Sequence, residues 1–102
     1  MVNLTDITGF DWDEGNARKN KKHGVSMAEA EQVFFNAPLL LLEDYKHSNQ
    51  EPRFHALGKS DENRLLHITF TLRQTGEAGE KIRVISARNM HTKERAIYEK
   101  NT

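Results

Sequence analysis

Arg64-Leu-Leu-His-Ile-Thr-Phe-Thr-Leu-Arg73 is the most regular segment of this chain. From Leu66 onward its apolar side chains alternate with polar ones, which is the pattern of a strand that buries one face and exposes the other. The polar, two-glycine segment Thr75-Gly-Glu-Ala-Gly-Glu80 follows, and a second apolar run extends from Lys81 to Arg88. The sequence therefore predicts a β-hairpin whose loop spans residues 75–80.

Two helix signatures occur near the N-terminus. Asp11 and Glu14 have the spacing of a capping box, which predicts a first helix from about Trp12 to His23. Ser26 and Glu29 repeat that spacing at once and predict a second short helix.

Two further apolar runs, from Leu39 to Tyr45 and from Arg53 to Lys59, are interpreted as strands. Thr92 is a plausible N-cap for a short terminal helix from Lys93 to Lys100. The predicted fold is therefore α+β, with two N-terminal helices, a four-stranded mainly antiparallel sheet and a short C-terminal helix.

Composition narrows the class of protein. The 102 residues are the length of one domain, so residues 1–102 are expected to form a single unit. The chain has no cysteine, which excludes disulfides and thiolate metal sites and favours a reducing compartment. No basic leader or long apolar run is present, so we expect a cytoplasmic protein without a membrane partner. Fifteen basic residues balance fifteen acidic ones, so overall charge does not point to a nucleic acid partner.

Arginines on the two hairpin strands are the first candidates for chemistry. If loop 75–80 closes the hairpin, the start of one strand lies near the end of the other, which brings Arg64 towards Arg88, with Arg83 on the same strand as Arg88. Guanidinium groups stay charged and bind phosphate through a planar fork of donors, so these residues form a candidate phosphate clamp. The alternative is that they are solvated or ion-paired, as arginines at a sheet edge usually are.

Lys22-His23-Gly24 is a second candidate, because histidine titrates near neutrality and is the commonest general acid or base. The alternative is structural: cations stabilise a helix C-terminus, and a glycine there permits a positive φ. Ser86 could orient a phosphate or could simply bond to the backbone. The five histidines have no metal-ligand spacing and no glycine-rich phosphate loop occurs, so no metal or cofactor is assigned.

Several short segments have an order and spacing that are specific in combination: Phe10-Asp-Trp-Asp-Glu14, Asn20-Lys-Lys-His-Gly-Val25, Arg53, Gly58, Arg64-Leu-Leu, Ile82-Arg-Val-Ile-Ser-Ala-Arg88, Glu94-Arg95 and Tyr98. Together, over nearly the whole chain, they resemble the BrnT family of type II toxins. The resemblance implies a RelE-like fold and a ribonuclease that blocks translation. It also implies a BrnA-like ribbon-helix-helix antitoxin, which neutralises the toxin in a heterotetramer and binds operator DNA as part of the complex.

Carried over residue by residue, the resemblance implies a set of catalytic positions: Lys22, His23, Arg64, Arg83, Ser86 and Arg88. We expect metal-independent cleavage, in which the ribose 2′-hydroxyl attacks the adjacent phosphate. The arginines would stabilise the charge that develops, and either His23 or Lys22 would shuttle protons. The alternative function is an inactive domain that only tethers an antitoxin and tunes its operator affinity.

Overall fold

The computed structural model describes residues 7–13, 15, 23–46, 51–74 and 79–102. In these ranges the chain forms, in order, β1 (Ile7–Asp11), α1 (Met27–Val33), β2 (Leu40–Glu43), β3 (Phe54–Lys59), β4 (Leu65–Gln74), β5 (Glu80–Asn89) and α2 (Thr92–Asn101). Neither of these helices is long and apolar enough to cross a membrane.

All five strands belong to one sheet, in the order β1-β5-β4-β3-β2. The predicted hairpin is present: β4 and β5 pair antiparallel from Leu66 opposite Asn89 to Gln74 opposite Glu80. β3 pairs antiparallel with β4, and β2 with β3. β1 pairs with β5 in parallel, so the sheet is mixed.

The predicted fold class is wrong in its N-terminal part. The described residues form a five-stranded mixed sheet and two helices, in place of two N-terminal helices and a four-stranded antiparallel sheet. Asp11, interpreted as a helix N-cap, is the last residue of β1, and its carboxylate accepts from Arg83. β1 has only five residues, and it is held by hydrogen bonds to β5, about seventy positions later in the chain, which local pattern does not report.

Most of the predicted first helix, Trp12 to His23, lies outside the described residues. Trp12 and Asp13 are not helical, Gly15 is helical, and His23 and Gly24 form a turn. Because Gly24 has a φ of 74°, its predicted role at a turn that needs positive φ is confirmed.

The other two helices agree with their predicted signatures in part. The Ser26 hydroxyl accepts the Glu29 backbone N–H at 3.0 Å, so the predicted N-cap of α1 is confirmed. α2 begins one residue earlier than predicted, and its N-cap is His91 in place of Thr92. The Glu94 side chain accepts the His91 backbone N–H at 2.8 Å, which fixes the start of this helix.

Side-chain alternation divides the core between the two faces of the sheet. On the α1 face, Ala30 and Val33 of the helix pack with strand residues such as Ile68 and Phe70. On the α2 face, a smaller cluster unites Leu57 with Met90 and Tyr98. Among the described residues, α2 packs at one end of its face, and polar side chains such as those of Thr69 and Ser86 lie on another part of it.

Gly58 shows how closely α1 approaches the sheet. A Cβ at this position would lie 2.9 Å from Val33 Cγ1 and 3.4 Å from Leu39 Cδ1. Val33 is fully buried and its β-branched side chain has little rotamer freedom, so it cannot move aside easily.

We therefore expect Gly58→Ala to lower the free energy of unfolding by about 1–3 kcal/mol, as overpacking does. Denaturant titration measures the loss. The Val33→Ala background is the control, because removal of Cγ1 gives the new methyl group room. The double variant should be less destabilised than the sum of the two single variants, and strict additivity would contradict this packing.

Candidate active site

The part of the α2 face that neither described helix covers holds a cavity of about 420 Å³, here named the polar pocket. It is lined by Asp44, Arg53, His55, His67, Thr69, Ile85, Ser86 and Arg88. A second cavity of about 340 Å³ lies beside it under α2, and the two cavities share His55 and His67. The two imidazoles therefore lie where the open sheet surface meets the helix.

The polar pocket follows from the register of three neighbouring strands. His55 of β3 is opposite Thr69 of β4, which in turn is opposite Ser86 of β5. His67 is opposite Arg88. Since side chains alternate along each strand, residues two positions apart point to the same face, and these five side chains gather on one surface. A bulge between Thr69 and Phe70 leaves Ile85 unpaired, which adds it to the same lining.

The two histidines are in direct contact. His67 Nε2 lies 2.8 Å from His55 Nδ1. At the outer end, His55 Nε2 lies 3.0 Å from Asp44 Oδ2. At the inner end, His67 Nδ1 lies 3.0 Å from Glu94 Oε2. We name this continuous chain of four groups, Asp44, His55, His67 and Glu94, the imidazole relay.

Glu94 links the relay to Arg88 and to α2. Its carboxylate accepts two hydrogen bonds from the Arg88 guanidinium, at 2.8 and 2.7 Å, and one from the His91 backbone N–H at 2.8 Å. Burial by itself would raise the pKa of Glu94. The hydrogen bonds from Arg88 and His91, with the charges of His67 and Arg88, outweigh burial and lower this pKa to about 2.

His67 is the more buried imidazole. Its side chain is 12% exposed, against 26% for His55. Burial lowers the pKa of His67 to about 4; the Glu94 carboxylate opposes this shift, and the Arg88 charge adds to it. Its Nδ1 atom is buried and has no well-aligned hydrogen-bond partner, although the Glu94 carboxylate is close.

Of the residues predicted from sequence, Ser86 and Arg88 line the polar pocket. Arg83 is opposite Thr71, two positions after Thr69 on β4, so it lies on the same face, but it is paired with Asp11 and Asp13 of the N-terminal segment. His23 lies in an exposed turn, and Lys22 lies outside the described residues.

Arg64 lies on the opposite face of the sheet. Its Nη1 atom donates to Glu29 at 2.7 Å and to the Gly24 carbonyl at 2.8 Å, and its Nε atom donates to Asn89 at 2.8 Å. The strand ends do meet as expected, because the Met90 N–H donates to the Leu65 carbonyl. The side chains of Arg64 and Arg88 nevertheless point to different faces, so the sheet separates them.

Sequence reasoning assigned no function to several residues of this site: Asp44, Arg53, His55, His67 and Glu94. The alternating pattern did place His67 on the polar side of its strand. Its partner His55 is twelve positions away, and only the β3–β4 register brings the two rings together. Within the described ranges, no three His, Asp or Glu side chains are grouped as metal ligands would be.

A family model described as the ribonuclease toxin BrnT of type II toxin–antitoxin systems matches residues 12–94. The chain belongs to the BrnT family. The resemblance seen in the sequence is thereby confirmed, and so is the place of the chain in a type II toxin–antitoxin system, where its partner is a protein antitoxin. The polar pocket and Glu94 both lie within the matched range. No match was found among curated proteins.

The two shifted groups make stability depend on pH. The folded pKa of His67 is about 4, below its ordinary value of 6.5. As the pH falls from 6.5 towards 4, the unfolded chain takes up a proton that the folded chain does not, so stability decreases. Glu94 acts in a lower window: its contribution is complete above pH 4.5 and is lost as the pH falls towards 2.

We therefore expect the free energy of unfolding to fall steadily on acidification below pH 6.5. Chemical denaturation at a series of pH values measures this slope. His67→Gln should flatten the curve between pH 6.5 and 4, and Glu94→Gln should flatten it below pH 4.5. His23→Gln, which removes an exposed imidazole, is the control and should change neither window.

Proposed function

We propose that this chain is a metal-independent endoribonuclease that cuts RNA in the polar pocket and so inhibits translation. The observation that carries the proposal is the contact between His55 and His67, at 2.8 Å, in an open pocket that two guanidinium groups also line. Imidazoles provide acid–base catalysis near neutral pH, and arginines bind phosphate. Membership of a ribonuclease toxin family supports RNA as the substrate.

The pocket contains the groups that RNA transesterification needs. Arg53 and Arg88 would bind the phosphate, and the hydroxyls of Ser86 and Thr69 would orient it. The ribose 2′-oxygen forms a bond to phosphorus as the bond from phosphorus to the 5′-oxygen breaks. The proton of the 2′-hydroxyl passes to a base of the pocket, and the 5′-oxygen takes a proton from an acid. The products are a 2′,3′-cyclic phosphate and a free 5′-hydroxyl.

This proposal keeps the predicted roles of Ser86 and Arg88. It assigns proton transfer to the two pocket histidines, whereas the sequence pointed to Lys22 or His23. The roles predicted for Lys22, His23, Arg64 and Arg83 stay predictions, and a variant of His23 tests the main difference between the two proposals.

The antitoxin is proposed to be a BrnA-like ribbon-helix-helix protein that forms a heterotetramer with the toxin and binds operator DNA. Membership of a type II toxin family implies a protein antitoxin as the partner of this chain. The BrnA-like ribbon-helix-helix identity and the heterotetramer are proposed from the sequence resemblance. The absence of cysteine supports a cytoplasmic site of action.

For the catalytic proposal, we expect His55→Gln to lower the rate of RNA cleavage at least about 100-fold, because a general acid or base contributes that much or more. His23→Gln should cleave at the wild-type rate. Arg88→Gln should cleave slowly, and Arg73→Gln is its charge-matched control on the far end of β4, where it pairs loosely with Glu51. Single-turnover cleavage of a labelled RNA measures all four. Full activity of His55→Gln would overturn the assignment of the pocket.

One observation favours a binding module as a second candidate. Each of the three predicted phosphate-binding arginines is paired with a carboxylate: Arg64 with Glu29, Arg83 with Asp11 and Asp13, and Arg88 with Glu94. A phosphate must therefore compete with Glu94 for Arg88.

Growth distinguishes the two candidates. If the chain is a ribonuclease, its expression without antitoxin should arrest growth, and the His55→Gln variant expressed at the same level should not. Growth that continues with the wild-type chain would support the binding module.

A further inference from the structure

The imidazole relay has more contacts that favour a ring proton than two neutral imidazoles can supply. It contains two hydrogen bonds, Asp44 to His55 and His55 to His67, followed by the contact of His67 Nδ1 with the Glu94 carboxylate. Each hydrogen bond needs one proton between its two atoms, and the contact with Glu94 is attractive only if His67 Nδ1 carries a proton. Two neutral imidazoles carry only two N–H protons, one on each ring.

The two outer contacts each require a proton on the ring. Ionised carboxylates only accept hydrogen bonds, so the nitrogens that face Asp44 and Glu94 must both be protonated. The central contact joins two ring nitrogens 2.8 Å apart, and two bare nitrogen lone pairs at that distance would repel each other. A neutral pair therefore leaves one of the three contacts without its proton.

At the inner end of the relay, a contact without its proton is energetically unfavourable. If His67 carried its proton on Nε2, its bare Nδ1 atom would face the Glu94 carboxylate at 3.0 Å. That atom is buried and has no hydrogen-bond partner. An unsatisfied polar atom in such a place is unfavourable, more so beside a negative charge.

We propose that His55 and His67 share a third ring proton between Asp44 and Glu94, so that the pair carries one positive charge and is the general acid of RNA cleavage. The catalytic part rests on the proposed function; the proton count does not. The remaining charged or titratable groups around the pair are Arg53 before β3, Arg88 of β5, and His91 and Lys93 at the start of α2. The carboxylates of Asp44 and Glu94 offset the cations that lie nearest to the pair.

The third proton belongs on His55. Its Nδ1 and Nε2 atoms donate to His67 and Asp44. His67 stays neutral, with its proton on Nδ1 beside the Glu94 carboxylate and its Nε2 atom accepting from His55. This arrangement agrees with the burial of His67, which disfavours a charge on that ring. His55 is also the more exposed of the two rings.

In the cleavage step, the relay then gives up and regains the same number of protons. The relay gives one proton to the 5′-oxygen as that oxygen leaves phosphorus with the bonding electron pair. It regains one proton from the 2′-hydroxyl as the 2′-oxygen bonds to phosphorus. The relay begins and ends with three ring protons, so no further acid or base is required.

Asp44 and Glu94 are positioning residues in this scheme, and amide substitution makes their role testable. In Glu94→Gln, the side-chain amide can donate to His67 Nδ1, so that atom no longer needs a proton. Two neutral rings then satisfy every contact. Asp44→Asn has the same effect at the other end of the relay, just after β2.

The experiment is ¹⁵N NMR of the imidazole nitrogens in the full chain, made by cell-free synthesis with ¹⁵N-histidine. At pH 7 we expect three of the four nitrogens of His55 and His67 to have the chemical shifts of protonated atoms. Glu94→Gln and Asp44→Asn should each reduce that number to two. Glu51→Gln, which removes a carboxylate that is paired with Arg73 and is not part of the relay, should leave three. Two protonated nitrogens in the wild-type chain would overturn the proposal.

RNA cleavage by the same samples separates the two proposals. Because the third proton is lost as the pH rises, the alkaline limb of the pH–rate profile should move to lower pH in Glu94→Gln and in Asp44→Asn. Three protonated nitrogens without any cleavage would leave the proton count intact and overturn the proposed function. RNA cleavage by a wild-type chain with only two protonated nitrogens would support the proposed function and overturn the proton count.

Discussion

The alternation of side chains along β4, held in register by β3 and β5, is the constraint on which the rest of the structure depends. Its apolar positions, including Ile68 and Phe70, form the core beneath α1, and its polar positions, His67 and Thr69, line the pocket on the other side. A shift of one residue in either pairing would exchange the two sets. Stability and the candidate chemistry therefore depend on the same hydrogen-bond ladder.

Glu94 connects this sheet to the chemistry. Its carboxylate fixes the start of α2, binds the Arg88 guanidinium and contacts His67. Helix position, phosphate affinity and the protonation of the imidazoles are consequently coupled through one side chain. A phosphate that takes hydrogen bonds from Arg88 would weaken the hold of Arg88 on Glu94 and strengthen the interaction of Glu94 with His67.

The ion pairs of the arginines show what these side chains contribute to the fold. Arg64 holds the turn at Gly24 and the start of α1 against the sheet edge, and Arg83 holds the end of β1. Both contacts tie the N-terminal segment to the hairpin. A guanidinium can stabilise a fold or bind a phosphate, and only its neighbours in space show which of these its surroundings favour.

Much of the architecture was determined by the sequence. The alternation through β4, the polar loop after it and the Ser26–Glu29 capping box predicted the hairpin and α1, because these signals are local. The segments that resemble the BrnT family predicted the family that the residue 12–94 match confirms. Ser86 and Arg88 were singled out first from their place on the second predicted hairpin strand, and the resemblance then implied catalytic roles for both.

Only the tertiary structure decided the position of β1, the separation of Arg64 from Arg88, and the meeting of His55 with His67. β1 depends on hydrogen bonds to a strand far away in the chain, so a five-residue segment with a glycine gave no strand signal of its own. Arg64 and Arg88 lie near the same end of the hairpin but belong to opposite faces. A single histidine on the polar face of a strand gives no functional signal in the sequence. The β3–β4 register brings His55 and His67 together, and α2 places Glu94 beside His67.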